Sequence, residues 1–260
     1  MGQVKAITFD FWGTLYHGVS ARHLRMRRLI EVLGANGHVF DPGALDAADR
    51  VAWNEWDRAW REEYRTLSAG EWLPLMLGYL AVKLPRPDFQ ALVEYFDEAV
   101  LELDPPLRLV DGAGDAVRRL AQSYRLGLIS DTGLSIGRTL RRFLERDGLT
   151  ACFACLSFSD ETGVSKPHPD AFLRPLACLG AQPAEAVHIG DLARTDVGGA
   201  KAVGMRAVRF AGSNDDADRS IEPDAIVSTY AEFELLIRAW DPPVVKRSSY
   251  HKDTKTRSKP

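Results

Sequence analysis

Cysteine is scarce: Cys152, Cys155 and Cys178 are the only ones in 260 residues. Three thiols cannot staple a chain this long into a disulfide framework, and their scarcity suits a reducing compartment, so the cytoplasm is the expected location. Long apolar runs are also missing. No uninterrupted stretch reaches the roughly 18 residues of a membrane span. The short apolar run behind Lys5 is broken at Asp10 and makes no secretory h-region. Neither sign of charge dominates, with 33 Lys+Arg against 36 Asp+Glu and a net charge of -3. Such a balance gives no whole-protein field for nucleic acid or an anionic membrane, and a small molecule is the expected partner. Gly198, Gly199 and Gly204 do not form a GxGxxG turn after the first strand, so no nicotinamide or flavin is implied. Cys152-Phe-Ala-Cys155 lacks the second pair of a zinc site and reads as core packing. There are no internal repeats.

What is present looks like an ordinary folded protein, 45% hydrophobic and 27% charged. At about 150 residues per domain, the length fits one large domain, or one with a smaller companion. Residues 4–9, 124–129, 186–189 and 205–210 are short apolar runs rich in β-formers, and the first three end abruptly at small or acidic residues. Helical periodicity lies between them: around 111–121, with Asp111 as its expected cap, then 136–144 before a run at 155–158, 170–179 and 196–203. Strands alternating with helices predict an α/β fold with a Rossmann-like parallel sheet, and polar residues gather where such sheets bind ligands.

From about Ser20 to Leu103 only helical periodicity is found. The expected division is therefore an α/β core at 1–16 and 106–240, with a smaller all-helical domain at 17–105. The polar, basic segment 241–260 is expected to be disordered.

Four polar sites stand at or beyond the strand ends: Asp10 in FDFWGTL, Ser130 after Leu128-Ile129, Lys166 in SKPHP, and Asp191 with Asp196 in GDLARTD. In order and spacing they resemble the four motifs of the haloacid dehalogenase (HAD) superfamily. The resemblance covers about residues 4–240 and includes a helical cap inserted between the first and second motifs. It extends to Lys166-Pro-His-Pro-Asp-Ala-Phe172 and to the run from Asp196 to Met205.

The chemistry follows from the residue types. A carboxylate in line with phosphorus can displace an alcohol and form an acyl phosphate, dividing one hard hydrolysis into two steps, and Asp10 is the candidate. Two anions repel, so a cation must stand between them, and Mg2+ prefers oxygen ligands. Asp10 and Asp191 supply carboxylates. The resemblance adds the backbone carbonyl of Trp12, with Asp196 close by or acting through water. Ser130 and Lys166 are expected to hold the phosphoryl oxygens. Trp12 and Asp131 complete the expected substrate contacts. Taken singly, Asp10, Ser130, Lys166, Asp191 and Asp196 have ordinary readings as caps, turns and surface charges; their joint occurrence outweighs those.

Trp12 departs from the pattern. Most phosphatases of the resembled family carry a second Asp there, which protonates the leaving group, a service worth about 10²- to 10⁴-fold. Three readings follow. In the preferred one the substrate has a good leaving group, such as an acyl or enol phosphate, with Asp131, Asp160 or Glu161 as possible substitutes. In the second, the protein is a metal-independent 2-haloacid dehalogenase, since those enzymes have an aromatic residue at this position. They generally lack the Asp191/Asp196 pair, however, and usually have Asn where Asp131 stands. In the third it is a non-catalytic phosphate-binding or regulatory module.

Trp53, Trp56, Trp60 and Tyr64 recur at helical spacing and are expected to fill the core of the helical domain, with the cleft as the alternative. Arg22, Arg25, Arg27 and Arg28, near His17 and His23, read as a solvated face. His188 reads as a packing residue and His168 as a loop residue. Oligomeric state is left open.

Overall fold

A computed structural model describes residues 3–213 and 216–241. The strands are β1 Ala6–Phe9, β2 Arg125–Ser130, β3 Phe153–Phe158, β4 Ala186–Gly190, β5 Arg206–Phe210 and β6 Ala225–Val227. They form one parallel sheet in the order β3-β2-β1-β4-β5-β6. The first five coincide with the apolar runs to within two residues at each end. The sixth is three residues long, too short to leave a periodic signal. Strands covered on both faces read as continuous apolar runs, and every residue of β1 and β4 is buried. Successive side chains of β1 feed two cores: Ile7 and Phe9 pack with Val117, Phe143 and Phe233, and Ala6 packs with Phe172, Leu176 and Ala200.

Between β1 and β2 lie α1 Arg22–Ala35, α2 Pro42–Arg58, α3 Ala69–Tyr79 and α4 Arg86–Glu98. Asp41 caps α2 by accepting the Ala44 N–H at 3.0 Å, with Pro42 in the first turn. A Ser68–Glu71 capping box starts α3. The apolar faces of these helices meet one another: Leu29, Leu33, Ala48, Leu73, Met76, Leu92 and Phe96 form a separate hydrophobic core. This is a second, all-helical domain.

The other helices flank the sheet: α5 Ala113–Leu120, α6 Gly137–Arg146, α7 Ser159–Thr162, α8 Pro169–Leu179, α9 Gly198–Ala202 and α10 Tyr230–Trp240. Asp111 does not cap α5; Gly112, in the left-handed conformation, occupies that position. The tail, from residue 242 on, lies outside the described residues. Among those described, no helix is long and apolar enough to cross a membrane. β1 stands between β2 and β4, so the chain leaves it in opposite directions, and the crevice at its C-terminal end is where open α/β sheets bind ligands.

Candidate active site

Register assembles the site. Phe9 is level with Leu128 of β2 and Ile189 of β4, so Asp10, Ser130 and Asp191 emerge from three adjacent strand ends. Lys166 comes from the loop before α8, and Asp196 from a π-helical turn, Ala193–Val197. Lys166 Nζ donates to Asp10 Oδ1 at 2.5 Å and to Asp196 Oδ1 at 2.6 Å. All three side chains are buried. Burial raises the Asp10 pKa well above the carboxylate range, and the charges of Asp196 and Asp191 add to this against the pull of Lys166. Burial acts on Asp196 in the same direction, but Lys166 and His188 outweigh it and hold that carboxyl below the usual range. Burial disfavours the Lys166 charge, yet Asp10, Asp196 and Asp131 overcome it and keep the ammonium protonated.

Asp10, Asp191 and Asp196 each offer an oxygen, and these lie within 4.8 Å of one another. Asp10, Asp191 and Asp196 crowd three buried carboxyl groups together beside Lys166, and negative charge gathered in the interior is costly. An all-oxygen donor set of this charge fits a hard divalent cation such as Mg2+. The loop after β1 makes room for it. Gly13 has φ +70°, and a Cβ there would stand 2.4 Å from Asp191 Oδ2. Asp196 is held differently: Oδ1 accepts from Lys166 and pairs with His188 Nε2 at 3.1 Å, while Oδ2 accepts the Leu192 N–H at 3.0 Å. Both of its oxygens thus accept hydrogen bonds, one of them from Lys166.

His188 is buried as expected, but it does more than pack. Its ring bridges Thr8 Oγ1, 2.8 Å from Nδ1, and Asp196. Thr8 and His188 are aligned on neighbouring strands. Two polar residues inside otherwise apolar strands were the sequence signal for this relay. Ser130 is buried and its Oγ has no hydrogen-bond partner among the described residues, although it does not itself line the cleft. A buried hydroxyl left unpaired costs about 1–3 kcal/mol.

Above these residues opens a cleft of about 710 Å³, lined by Asp10, Lys166, Asp191 and Asp196 on one side and by Trp53, Trp56, Trp60 and Trp72 on the other. This corrects the expectation of a core role for Trp53 and Trp60. Leucines and methionines of α1, α3 and α4 fill most of that core; Trp72 belongs to it and Trp56 packs against it, and both also line the cleft. Trp53, Trp56 and Trp60 stack with centroids 5.1 and 5.3 Å apart. Tyr64 leaves the row because a π-helical turn, Ala59–Glu63, precedes it and its own φ is 54°. Trp12 lines the same cleft, edge-on to Phe11.

Asp131 faces the cleft, but both its oxygens are occupied. Oδ2 accepts from Trp60 Nε1 at 2.8 Å, and Oδ1 accepts the Lys166 backbone N–H at 2.9 Å. Burial raises its pKa, against Lys166 and the Trp60 hydrogen bond. Asp160 accepts the Gly137 N–H at the start of α6, and Glu161 pairs with Arg141; neither lines the cleft. All three candidate substitutes thus have structural partners. Arg25 also departs from expectation. Arg22 and Arg28 pair on the surface, but Arg25 is buried and donates to Phe96 O, Leu134 O and Ser135 Oγ. Burial lowers its pKa to about 10.

Residues 4–204 match the family model for haloacid dehalogenase-like hydrolases. The chain belongs to that family. It is 33% identical over 162 residues to ribulose-1,5-bisphosphate 5-phosphatase of Halopiger xanaduensis, covering 59% of this chain and 66% of that protein. It is 36% identical over 107 residues to glyceraldehyde 3-phosphate phosphatase of Pyrococcus furiosus, covering 40% and 42%. The chain therefore spans less than two thirds of the length of these relatives. A solved 2-haloacid dehalogenase from Pseudomonas syringae pv. Tomato DC3000 superposes with a TM-score of 0.69 at 22% identity, over 92% of this chain and 100% of that one. At that identity the likeness shows a shared fold. Within that family fold Asp10 stands just past the end of β1, between β2 and β4.

Proposed function

We propose that this hydrolase is a Mg2+-dependent phosphatase of a small phosphorylated metabolite, working through an aspartyl-phosphate on Asp10. Two of its relatives are named as phosphatases of small phosphorylated compounds. The observation that carries the reading is the buried cluster of Asp10, Asp191 and Asp196 around Lys166. A metal-independent dehalogenase gains nothing from three mutually repelling carboxylates; a phosphatase needs them to hold a cation.

In this reading Asp10, Asp191 and the Trp12 carbonyl hold Mg2+, with Asp196 beside them. The ion neutralises charge between the nucleophile and the phosphoryl group. An Asp10 oxygen forms a bond to phosphorus as the ester P–O bond breaks. Lys166 and the Ser130 hydroxyl hold the phosphoryl oxygens, where transition-state charge collects. Water then attacks phosphorus, Asp10 is regenerated, and the two protons of that water end on the released alcohol and the phosphate. The helical domain, taken as residues 17–105, closes over the cleft about crossings at 17–18 and 104–106. Ala21, Leu24, Ala99 and Val100, at its two ends, pack with the sheet cluster. Free Cys152, Cys155 and Cys178 suit a reducing, cytoplasmic setting.

The test is release of phosphate and chloride from a panel of sugar, aryl and acyl phosphates and 2-haloacids, with Mg2+ or EDTA, using Asp10→Asn as control. Phosphate release that needs both Mg2+ and Asp10 is expected. Chloride release in EDTA would replace the reading with a dehalogenase. Binding of Mg2+ and phosphate analogues with no turnover would replace it with a binding module.

A further inference from the structure

Five of the six tryptophans, Trp12, Trp53, Trp56, Trp60 and Trp72, line the single cleft that holds Asp10. Such a wall offers large flat apolar area and favours flat rings. The carboxylates lining the same cleft are Asp10, Asp131, Asp191 and Asp196. Asp10 is the nucleophile, Asp191 and Asp196 belong to the cation cluster, and both oxygens of Asp131 are already accepting. In the phosphatase reading each already has another role, Asp131 as the acceptor that ties Trp60 to the Lys166 backbone, so none is assigned to protonate a departing oxygen. An alcohol that leaves without a proton must be a stable anion. A phenol such as tyrosine ionises near about 10, whereas water, close to a simple alcohol, ionises near about 15.7.

We infer that the substrate is the phosphate monoester of a flat aromatic alcohol, its ring lodged among the tryptophans and its oxygen leaving as a phenolate. The inference rests on the phosphatase reading and names its substrate class. The bonds balance: the Asp10 oxygen bonds phosphorus, the aryl oxygen leaves with the electron pair of the broken P–O bond, and water from the second step supplies its proton. Tryptophan walls also bind organic cations. Here the charges oppose that occupant, because the Arg194 guanidinium already lies 4.1 Å over the Trp60 ring and Arg25 lines the cleft.

The experiment compares 1-naphthyl, phenyl and ethyl phosphate, phosphocholine and acetyl phosphate with Mg2+, using the wild-type chain, Asp10→Asn and Trp53→Ala. Trp53 is 53% exposed, so its truncation spares the fold. Asp10-dependent kcat/KM should be about 10²-fold or more higher for 1-naphthyl than for ethyl phosphate. It should also fall steeply across substituted phenyl phosphates as the pKa of the leaving phenol rises. Trp53→Ala should raise the KM for 1-naphthyl phosphate about tenfold, several times more than it changes kcat or the KM for acetyl phosphate. Equal Asp10-dependent rates on ethyl and naphthyl phosphate, or a preference for phosphocholine, would overturn the inference and leave the phosphatase reading standing. A rate independent of leaving-group pKa would reveal a proton donor, with His17 at the cleft the first suspect, and would also overturn it. Absence of Asp10-dependent phosphate release from all five compounds would remove both.

Discussion

The Trp60 indole donates to Asp131 Oδ2 at 2.8 Å, and the opposite oxygen of that carboxylate accepts the Lys166 N–H. One side chain thus ties the helical domain to the lysine loop. Trp60→Phe keeps the ring and removes the donor. Leaving a buried acceptor unpaired costs about 1–3 kcal/mol. The variant should lose stability in urea denaturation, and its kcat/KM should fall about tenfold as the Lys166 loop loosens. Unchanged kinetics in Trp60→Phe would mean that Asp131 does not position Lys166.

Gly13→Ala places a methyl group 2.4 Å from Asp191 Oδ2 at a backbone φ of +70°. Asp191 must move or the loop must distort. Titration calorimetry should show Mg2+ affinity reduced about tenfold or more, with kcat/KM following, since displaced ligating groups typically cost about 10- to 100-fold.

Arg25 donates to two backbone carbonyls and to Ser135 Oγ, across α1, the end of α4 and the loop after β2. Arg25→Ala leaves those acceptors unsatisfied and should cost about 3 kcal/mol or more. Arg25→Lys keeps the charge but not the planar fork and should recover only part of that loss. Urea midpoints of the two variants rank the effect; equal midpoints would mean that geometry is unimportant here.

Asp97 gives a pH dependence away from the catalytic cluster. Burial pushes it up to about 6, against the pull of Arg138 and Arg25. The folded chain therefore holds a proton that the unfolded chain has released. The stability this contributes is full below about pH 4 and is lost as pH rises through about 6. Asp97→Asn should match the wild type in thermal denaturation at pH 4 and exceed it at pH 7.5. The gain is modest because the group is partly solvated. A variant less stable than wild type at pH 7.5 would reverse the sign argued here.

Trp12→Asp restores a carboxyl two residues after Asp10. If leaving-group protonation is the missing term, turnover of ethyl phosphate should rise by up to about 10²-fold, while aryl phosphates gain much less. No rise in a folded, Mg2+-binding variant would count against this account of Trp12.

Much of this was legible in one dimension. Strands buried on both faces must be continuously apolar, and the acidic, small and basic residues that end them mark the ligand edge, so Asp10, Ser130, Lys166, Asp191 and Asp196 stood out. The alternation of strand and helix fixed a parallel sheet, and the missing strands between 20 and 103 marked the helical insertion. Periodicity, however, records only that a face is apolar, never what covers it. Trp53 and Trp60 therefore read as core, whereas aliphatic side chains from α1, α3 and α4 fill most of it. Arg25 looked like its neighbours for the same reason, since burial depends on which helix packs opposite. The partners of Asp131, Trp60 far before it and Lys166 far after it, are set by domain packing alone. Local sequence carries the chemistry of each group, because that is a property of the side chain. Which groups remain available to react depends on contacts between distant segments, and only the tertiary structure decides those.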